Sequence, residues 1–399
     1  MTSIISAGVL LILACCLILV ALNAKKRFSG NQPASSLAFV AILFTSGLDG
    51  GFILLPLLEF ATYQADESYH FSNPLAIEVG FWGLTVWLLY FVSTLYFCAV
   101  EPKLKFFDRR WVKLIHSIVV LLTAAFTLSL FAQCVAHYLS PLVGDNTVSM
   151  WTNGLVLLMM LSAIGFSSRV KLMTRLSQVS VVLFVALVGV MIYSSQFDIG
   201  AFQKSGVLVT EYFKQLPTFI LPFNDYHEFY IAWWLSWTFM LGQFVSRFVN
   251  NMTLWQLLLS MIVLPLLPTF IWFSVLFHWY EQSISLSGGL NVLFILVAVL
   301  FVVNSLDFMA ANYSRSLGLN IERFTNNRRG KLTYVALNTG VLLAVTLLFQ
   351  TKLMLVNYIA VLVIGLVVII AAIYCQKGLR KLANITYKAE KYASDLEHR

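Results

Sequence analysis

Hydrophobic residues recur along this chain in long runs that are separated by short polar connections. Each run has roughly 17 to 25 residues, the length that an α-helix needs to cross the hydrocarbon core of a bilayer. The pattern predicts an all-α integral membrane protein with about eleven spanning helices. The predicted spans are 3–24, 36–61, 76–99, 113–137, 150–167, 176–196, 225–248, 252–276, 290–313, 333–350 and 354–375.

Basic residues alternate across the predicted connections. With the N-terminus outside, 23 of the 26 Lys and Arg residues lie on one side of the membrane, and only Lys204, Lys214 and Lys352 lie on the other. Lys and Arg collect in the cytoplasmic loops of membrane proteins. We therefore expect a multi-pass protein of the inner (cytoplasmic) membrane with its N-terminus outside and its C-terminus in the cytoplasm.

The connection at 197–224 divides the chain, and its apolar spacing predicts an amphipathic helix at the interface. Five spans follow it, and five precede it after the first helix. Because five is odd, the two groups have opposite orientations, as in a five-plus-five inverted-repeat (LeuT-like) transporter that binds substrate near the midplane. The predicted parts are an extra N-terminal helix and loop (1–30), a first repeat (31–196), the connector, a second repeat (225–375) and a basic cytoplasmic tail (376–399).

The composition of the chain excludes several classes of function. Hydrophobic residues make up 59% and charged residues 11% of the chain, and the mean hydropathy of +0.83 lies outside the soluble range. The net charge of +8 is accompanied by no nucleic-acid-binding motif. The cysteines lie in apolar spans without metal-ligand spacing, and no nucleophile–base pair occurs in the spans. We expect no enzyme activity, no resident metal or cofactor, and no nucleic-acid partner.

The second span contains an unusual segment, SGLDGG, at 46–51. Glycine weakens a helix by about 1 kcal/mol relative to Ala, and a carboxylate at the bilayer centre costs roughly 2.5–3.5 kcal/mol on insertion scales. Irregular backbone at this depth occurs only beside protein or a water-lined cavity. We predict a helix that is unwound at Gly47, Gly50 and Gly51 and forms the floor of a binding site.

Three roles remain open for Asp49 in this segment. It can pair with a buried donor on a neighbouring helix, act as a counter-charge for a cationic substrate, or bind a coupling proton. Intramembrane acids are functional by default, and only the proton role predicts uptake that shifts with pH. Glu59 and Glu78, in contrast, lie near span ends, where we expect their carboxylates to reach water.

Half of the ten tryptophans lie in the third and seventh spans. On a continuous helix, Trp82, Trp87 and Tyr90 fall within a fan of roughly 140°. The seventh span has a second stripe, with one more tryptophan beside it. Such stripes occur in interfacial belts and in helix packing, but they also hold quaternary ammonium groups, at up to about 2 kcal/mol per desolvated face. The residues of the second stripe are Phe229, Trp233 and Trp237, with Trp234 beside them.

These spans resemble the betaine/choline/carnitine transporter (BCCT) family. The seventh and eighth contain FYIAWWLSWTFMLGQFVSRFVNNMTLWQ and VLPLLPTFIWFSVL, similar to the family's tryptophan-rich helix, arginine turn and proline-containing helix. The third span, FWGLTVWLLY, resembles its aromatic-box helix, and SGLDGG stands at its glycine-rich unwound segment. At 304–307, NSLD stands where the family has Thr-Ser-x-Asp. The resemblance extends over essentially the whole chain, as a shortened member without the first family helix.

The resemblance implies a set of site residues. Sodium-dependent members use adjacent hydroxyls at the positions of Asn304 and Ser305, and an amide oxygen can replace a hydroxyl as a donor of electrons to the ion. These two residues, with Asp49, are therefore candidates for ion coupling.

The implied aromatic box consists of Trp82, Trp87, Tyr90 and Trp234, and the implied substrate path is lined by Phe229, Trp233 and Trp237.

Together these observations predict a secondary transporter that moves a quaternary ammonium compound through the lipid bilayer by alternating access. We expect coupling to Na⁺ or H⁺, and choline to be preferred over betaine or carnitine because betaine's own carboxylate would be repelled by Asp49. The alternative is a non-transporting ligand sensor, or a subunit of a larger membrane assembly, built on the same fold. Family members are often trimers, which suggests a homo-oligomer.

Overall fold

The computed structural model describes residues 1–46, 50–167, 170–319 and 328–397, with side chains described for most of these residues up to 377. Two short strands, β1 (Arg27–Phe28) and β2 (Met252–Thr253), pair antiparallel. The helices are α1 (Thr2–Asn23), α2 (Ser36–Ser46), α3 (Gly50–Ala65), α4 (Pro74–Phe81), α5 (Leu84–Ala99), α6 (Glu101–Leu104), α7 (Arg110–Val143), α8 (Asp145–Phe166), α9 (Val170–Ser195), α10 (Ile199–Lys214), α11 (Asp225–Ser246), α12 (Leu254–Glu281), α13 (Gly288–Ser316), α14 (Arg328–Gln350) and α15 (Val356–Glu397).

Each predicted span corresponds to helix, which confirms the all-α membrane fold. In the described part of the chain, nine helical segments are long and apolar enough to cross a bilayer. The other two predicted spans are the second, whose described parts are α2 and α3, and the seventh, which is α11. Helix α11 is rich in Trp and Tyr and begins with acidic residues, so its low hydropathy reflects its unusual composition.

Helix α11 lies at the centre of the protein, where it contacts α1, α5, α7 and α15. Every residue from 227 to 242 is buried, as expected of a helix that is surrounded by others on all sides. Its closest neighbour is α5, and Gly242 permits this approach because a Cβ there would lie 2.1 Å from the Oγ of Ser93. The aromatic side chains of α11 therefore point into protein rather than lipid.

The third predicted span is broken between α4 and α5, at Trp82 and Gly83. The freed carbonyl of Phe81 accepts a hydrogen bond from the indole N–H of Trp234 (3.1 Å). The N–H of Leu84 donates to the hydroxyl oxygen of Tyr212 on α10 (2.8 Å). Side chains from elsewhere in the fold thus satisfy the irregular backbone. The assumption of one continuous helix, on which the 140° fan rested, is wrong here.

Tyr212 also explains why a glycine occupies the break. A Cβ on Gly83 would lie 2.6 Å from the Tyr212 hydroxyl oxygen, so any larger residue would displace the group that accepts the Leu84 N–H. Burial raises the pKa of Tyr212 to about 12, which keeps the hydroxyl neutral at physiological pH. Helix α10, which occupies the predicted connector, packs against α4 through this face.

The predicted unwound segment lies at the start of α3. Gly47 and Asp49 are outside the described residues, and the helix begins at Gly50 and continues through Gly51. Further along, Pro56 has no N–H to donate to the carbonyl of Phe52. The indole N–H of Trp272 on α12 donates to that carbonyl instead (3.0 Å). At the other end of the chain, α15 continues through the predicted cytoplasmic tail as one helix.

Candidate functional site

Three tryptophans meet at the break between α4 and α5. The ring of Trp82 lies 4.6 Å from that of Trp234 and 5.5 Å from that of Trp233, in edge-to-face geometry. Trp233 and Trp234 stack on each other at 4.6 Å with an interplanar angle of 16°. A quaternary ammonium that is held between two rings lies within about 6 Å of each centroid, and it needs a space between the rings that these direct ring contacts leave no room for. This cluster is closed in the present conformation.

The other two residues of the implied box form a separate pair. The rings of Trp87 and Tyr90 lie 5.6 Å apart and perpendicular to each other on α5. No ring contact joins Trp87 to Trp82 or to Trp234, although all three residues are described. The break at Gly83 explains the separation, because it changes the direction in which α5 presents its side chains. The structure therefore brings together Trp82 with Trp234, and Trp87 with Tyr90.

The predicted path residues are all on α11 and all buried. Phe229 stacks on Tyr226 with centroids 5.8 Å apart and an interplanar angle of 7°, and its ring lies 6.3 Å from that of Trp233. Among the residues that the structure describes, the indole N–H groups of Trp233 and Trp237 find no hydrogen-bond partner. Buried indole N–H groups usually have one, so these two donors are available to an oxygen of a bound molecule.

A network of two carboxyl groups and three tyrosines lies next to the tryptophans, towards the start of α11. Glu59 on α3 accepts hydrogen bonds from Tyr230 at both oxygens (2.8 Å each), from Tyr226, and from Tyr63 (2.7 Å). The Tyr63 hydroxyl also lies 2.9 Å from an oxygen of Glu78 on α4. The expectation that the two carboxylates reach water is wrong, since Glu59 is 4% exposed and Glu78 is not exposed at all.

The physical reason is that tyrosine hydroxyls replace water around both carboxyl groups. Sequence reasoning missed this network, although a signal was present. Glu59 and Tyr63 are spaced i, i+4, and so are Tyr226 and Tyr230, so that each pair lies on one helix face. An acid and three hydroxyl donors on the inner faces of two spans indicate a shared polar site.

A cavity of about 820 Å³ leads to this network. Glu59 and Phe229 lie at its buried end, whereas Gln133 and Lys352 are exposed and mark its opening. Its wall combines aromatic rings and one carboxylate, the surface that a cation bearing methyl groups requires. The lining residues that matter here are Glu59, Leu130, Gln133, Tyr226, Phe229 and Lys352.

Among the described residues, no basic side chain forms an ion pair with either of the two carboxyl groups. The described residues form two ion pairs, Lys113 with Asp108 and Lys204 with Glu281. Neither pair includes Glu59 or Glu78. Within the described residues, hydroxyl groups rather than a cation surround the Glu59 carboxyl group, which favours a cation in the adjoining cavity.

Two of the three ion-coupling candidates lie on α13, and the third, Asp49, is outside the described residues. The amide nitrogen of Asn304 donates to the hydroxyl of Ser180 on α9 (2.8 Å), and Ser305 is half-buried. Helix α13 passes close to the start of α3, because a Cβ on Gly50 would lie 2.2 Å from a methyl carbon of Val302. The helix is therefore beside the predicted unwound segment. Sodium binding at Asn304 and Ser305 remains a prediction.

The fold and the site define a multi-pass helical membrane protein with a divided helix, a buried aromatic cluster and a polar cavity above it. Residues 105–279 match the family model described as "BCCT, betaine/carnitine/choline family transporter". Over these residues the chain is similar to this family.

The chain is also similar to individual curated transporters. The chain is 23% identical over 321 residues to glycine betaine transporter 1 of Vibrio parahaemolyticus, covering 68% of this chain and 60% of that protein. It is 26% identical over 301 residues to a glycine betaine/proline/choline/ectoine transporter of the same organism, covering 63% and 52%. A stretch of 69 residues is 35% identical to glycine betaine transporter OpuD of Bacillus subtilis, covering 17% and 13%. The chain thus spans about half to three-fifths of the length of the two Vibrio relatives.

Proposed function

We propose that the protein is a secondary transporter that moves quaternary ammonium compounds across the cell membrane by alternating access. The observation that carries this proposal is the continuity between cavity and aromatic cluster. Phe229 lines the cavity, its ring contacts Trp233, and Trp233 stacks on Trp234 at the helix break. A cation that enters beside Glu59 meets an unbroken series of aromatic faces.

Binding at the cluster requires a conformational change. The rings of Trp82, Trp233 and Trp234 fill the space between them, so α4 and α5 must move relative to α11 before a ligand is enclosed. The break at Gly83 is a natural hinge for this movement, because its backbone hydrogen bonds go to the side chains of Tyr212 and Trp234. Broken helices at the substrate site are the usual basis of alternating access.

Choline is our preferred substrate. It carries one positive charge and no carboxylate, whereas betaine and carnitine carry both charges. Glu59 presents a carboxylate to the cavity without a basic partner, and this charge supports the preference first inferred from Asp49. The basic-residue distribution supports a cavity that opens to the outside, with the N-terminus on the same side.

Uptake into proteoliposomes tests the proposal. Labelled choline, betaine and carnitine are offered to the purified protein with a sodium gradient, with a pH gradient, and with neither. We expect choline to accumulate most. If choline binds but no compound is transported under any gradient, the protein is a ligand sensor or a subunit of a larger assembly, and the transporter proposal is wrong.

A further inference from the structure

The hydroxyl of Tyr63 lies between two carboxyl oxygens, 2.7 Å from Glu59 and 2.9 Å from Glu78. A tyrosine hydroxyl has one hydrogen, which can be shared by the two oxygens of one carboxylate, as between Tyr230 and Glu59. At Tyr63 the two acceptors belong to different carboxyl groups, and two ionised carboxylates at one hydroxyl would repel each other. A proton on one of the two carboxyl groups removes this repulsion and gives the second contact a hydrogen of its own.

The surroundings of each group identify which one it is. Glu59 accepts from the hydroxyls of Tyr226 and Tyr230 as well as from Tyr63, and an ionised carboxylate is the acceptor that such donors stabilise. Glu78 is completely buried, and within the described residues its second oxygen accepts no hydrogen bond of regular geometry, although the Trp82 indole lies beside it. The hydrogen bonds then run in one direction, from the acid O–H of Glu78 to the Tyr63 oxygen, and from the Tyr63 O–H to Glu59.

The groups around the pair provide no compensating positive charge. Two carboxyl groups that share a site without a cation cannot both be ionised. The only basic group on the cavity wall is Lys352, which is exposed and forms no ion pair with either acid within the described residues. The other titratable groups that face the pair are Tyr63 on α3, Tyr69 in the loop before α4, Cys134 and Tyr138 on α7, Tyr226 and Tyr230 on α11, and Tyr358 on α15.

We propose that Glu59, Tyr63 and Glu78 form a proton-binding site that holds one shared proton. In one state the proton is on Glu78. In the other, the acid proton of Glu78 moves to the Tyr63 oxygen while the Tyr63 proton moves to Glu59. No proton is gained or lost in this exchange, and the pair keeps a net charge of −1. The proton can thus lie at the cavity wall or beside the helix break.

The location of Glu78 links this site to the moving part of the protein. Glu78 is on α4, its backbone oxygen accepts from the N–H of Trp82 (3.2 Å), and its carboxyl group lies beside the Trp82 indole. Glu59 lines the cavity through which protons and cations enter. A role of this site in coupling rests on the proposed transport function, but the proton itself does not.

Infrared spectroscopy of the purified, substrate-free protein tests for the shared proton. We expect a carbonyl band of a protonated carboxylic acid near neutral pH, shifted when the protein is transferred to D₂O. Glu78→Gln should abolish the band. Tyr63→Phe should retain it but move it to higher frequency, because the acid loses the oxygen to which it donates.

Glu228→Gln is the matched control. Glu228 is also buried, but it accepts from the side chains of Thr2 and Asn357, which have hydrogens of their own, so it requires no extra proton. The inference is overturned if wild type shows no acid band, if Tyr63→Phe leaves the band unchanged, or if the band persists in Glu78→Gln. None of these results depends on uptake. The transport proposal can therefore be wrong while the proton site is confirmed, and the proton site can be wrong while transport is confirmed.

Discussion

The tryptophan cluster and the carboxyl–tyrosine network are neighbours that share Tyr230. Its hydroxyl donates to Glu59, and its ring lies 6.1 Å from that of Trp82. The cluster below contains ring faces in direct contact and one hydrogen bond to backbone, from Trp234. The network above contains oxygen atoms held by hydrogen bonds. Under the proposed function, the parts of α11 that recognise the methyl groups and the charge are about one helical turn apart.

This separation means that the two properties of a quaternary ammonium compound can be altered independently. Changes in the cluster should affect all trimethylammonium compounds alike. Changes in the network should distinguish a compound with a net charge from a zwitterion.

Trp82→Ala should have the largest effect. The Trp82 ring contacts aromatic side chains from α3, α11 and α12, and its loss leaves a cavity at the helix break. Removal of a buried Trp costs about 3–5 kcal/mol of unfolding free energy. Chemical unfolding in detergent measures this loss. Trp151→Ala is the control, because Trp151 is 54% exposed and its truncation should cost far less; an equal loss in both variants would contradict the central role of Trp82.

The sequence was sufficient to predict where the spanning helices lie, but not where they are broken. Eleven apolar runs determine where the helices lie, because only the length of the run matters for crossing a bilayer. The break at Gly83 depends instead on Tyr212 and Trp234, which lie 128 and 153 residues from the groups they contact. No local pattern contains that information.

The same reasoning explains which site residues could be predicted. The tryptophans stand out in the sequence because of their residue type, and the resemblance to a family names them. Glu59 does not stand out, since its burial is produced by hydroxyls on α11 that lie 167 and 171 residues away in the chain. An acid near a span end reaches water by default, and only the packing of α3 against its neighbours changes that outcome.

Trp233→Ala should weaken the binding of every quaternary ammonium compound. Loss of one desolvated cation–π contact costs about 2 kcal/mol, or about 30-fold in Kd. Equilibrium binding of labelled choline and betaine measures the change. Trp279→Ala is the matched control, because Trp279 is buried on α12 and its indole donates to the Met191 carbonyl on α9. A similar loss of affinity in both variants would show that general destabilisation is the cause.

Glu59→Gln should separate choline from betaine. The amide keeps the shape of the side chain and removes its charge. At an effective dielectric constant near 20, a unit charge about 10 Å away contributes roughly 1.7 kcal/mol, so choline affinity should fall by roughly tenfold or more, while zwitterionic betaine should change little. Competition binding with the two compounds measures this ratio. An equal loss for both would assign Glu59 a structural role and remove the charge argument for choline.

Glu228→Gln should have the smallest effect. It tests whether a second acid on α11 contributes to charge recognition beside Glu59. Glu228 is on α11 next to Phe229, but its carboxylate accepts from Asn357 on α15 (2.9 Å) and from Thr2 on α1, on the side of the helix that faces away from the cavity residues. The amide oxygen of Gln can still accept one of these hydrogen bonds, so the loss of unfolding free energy should be about 0.5–1.5 kcal/mol. Choline affinity should be unchanged. If choline binding instead falls as far as in Glu59→Gln, charge recognition extends around the whole outer end of α11, and the network at Glu59 is only one part of it.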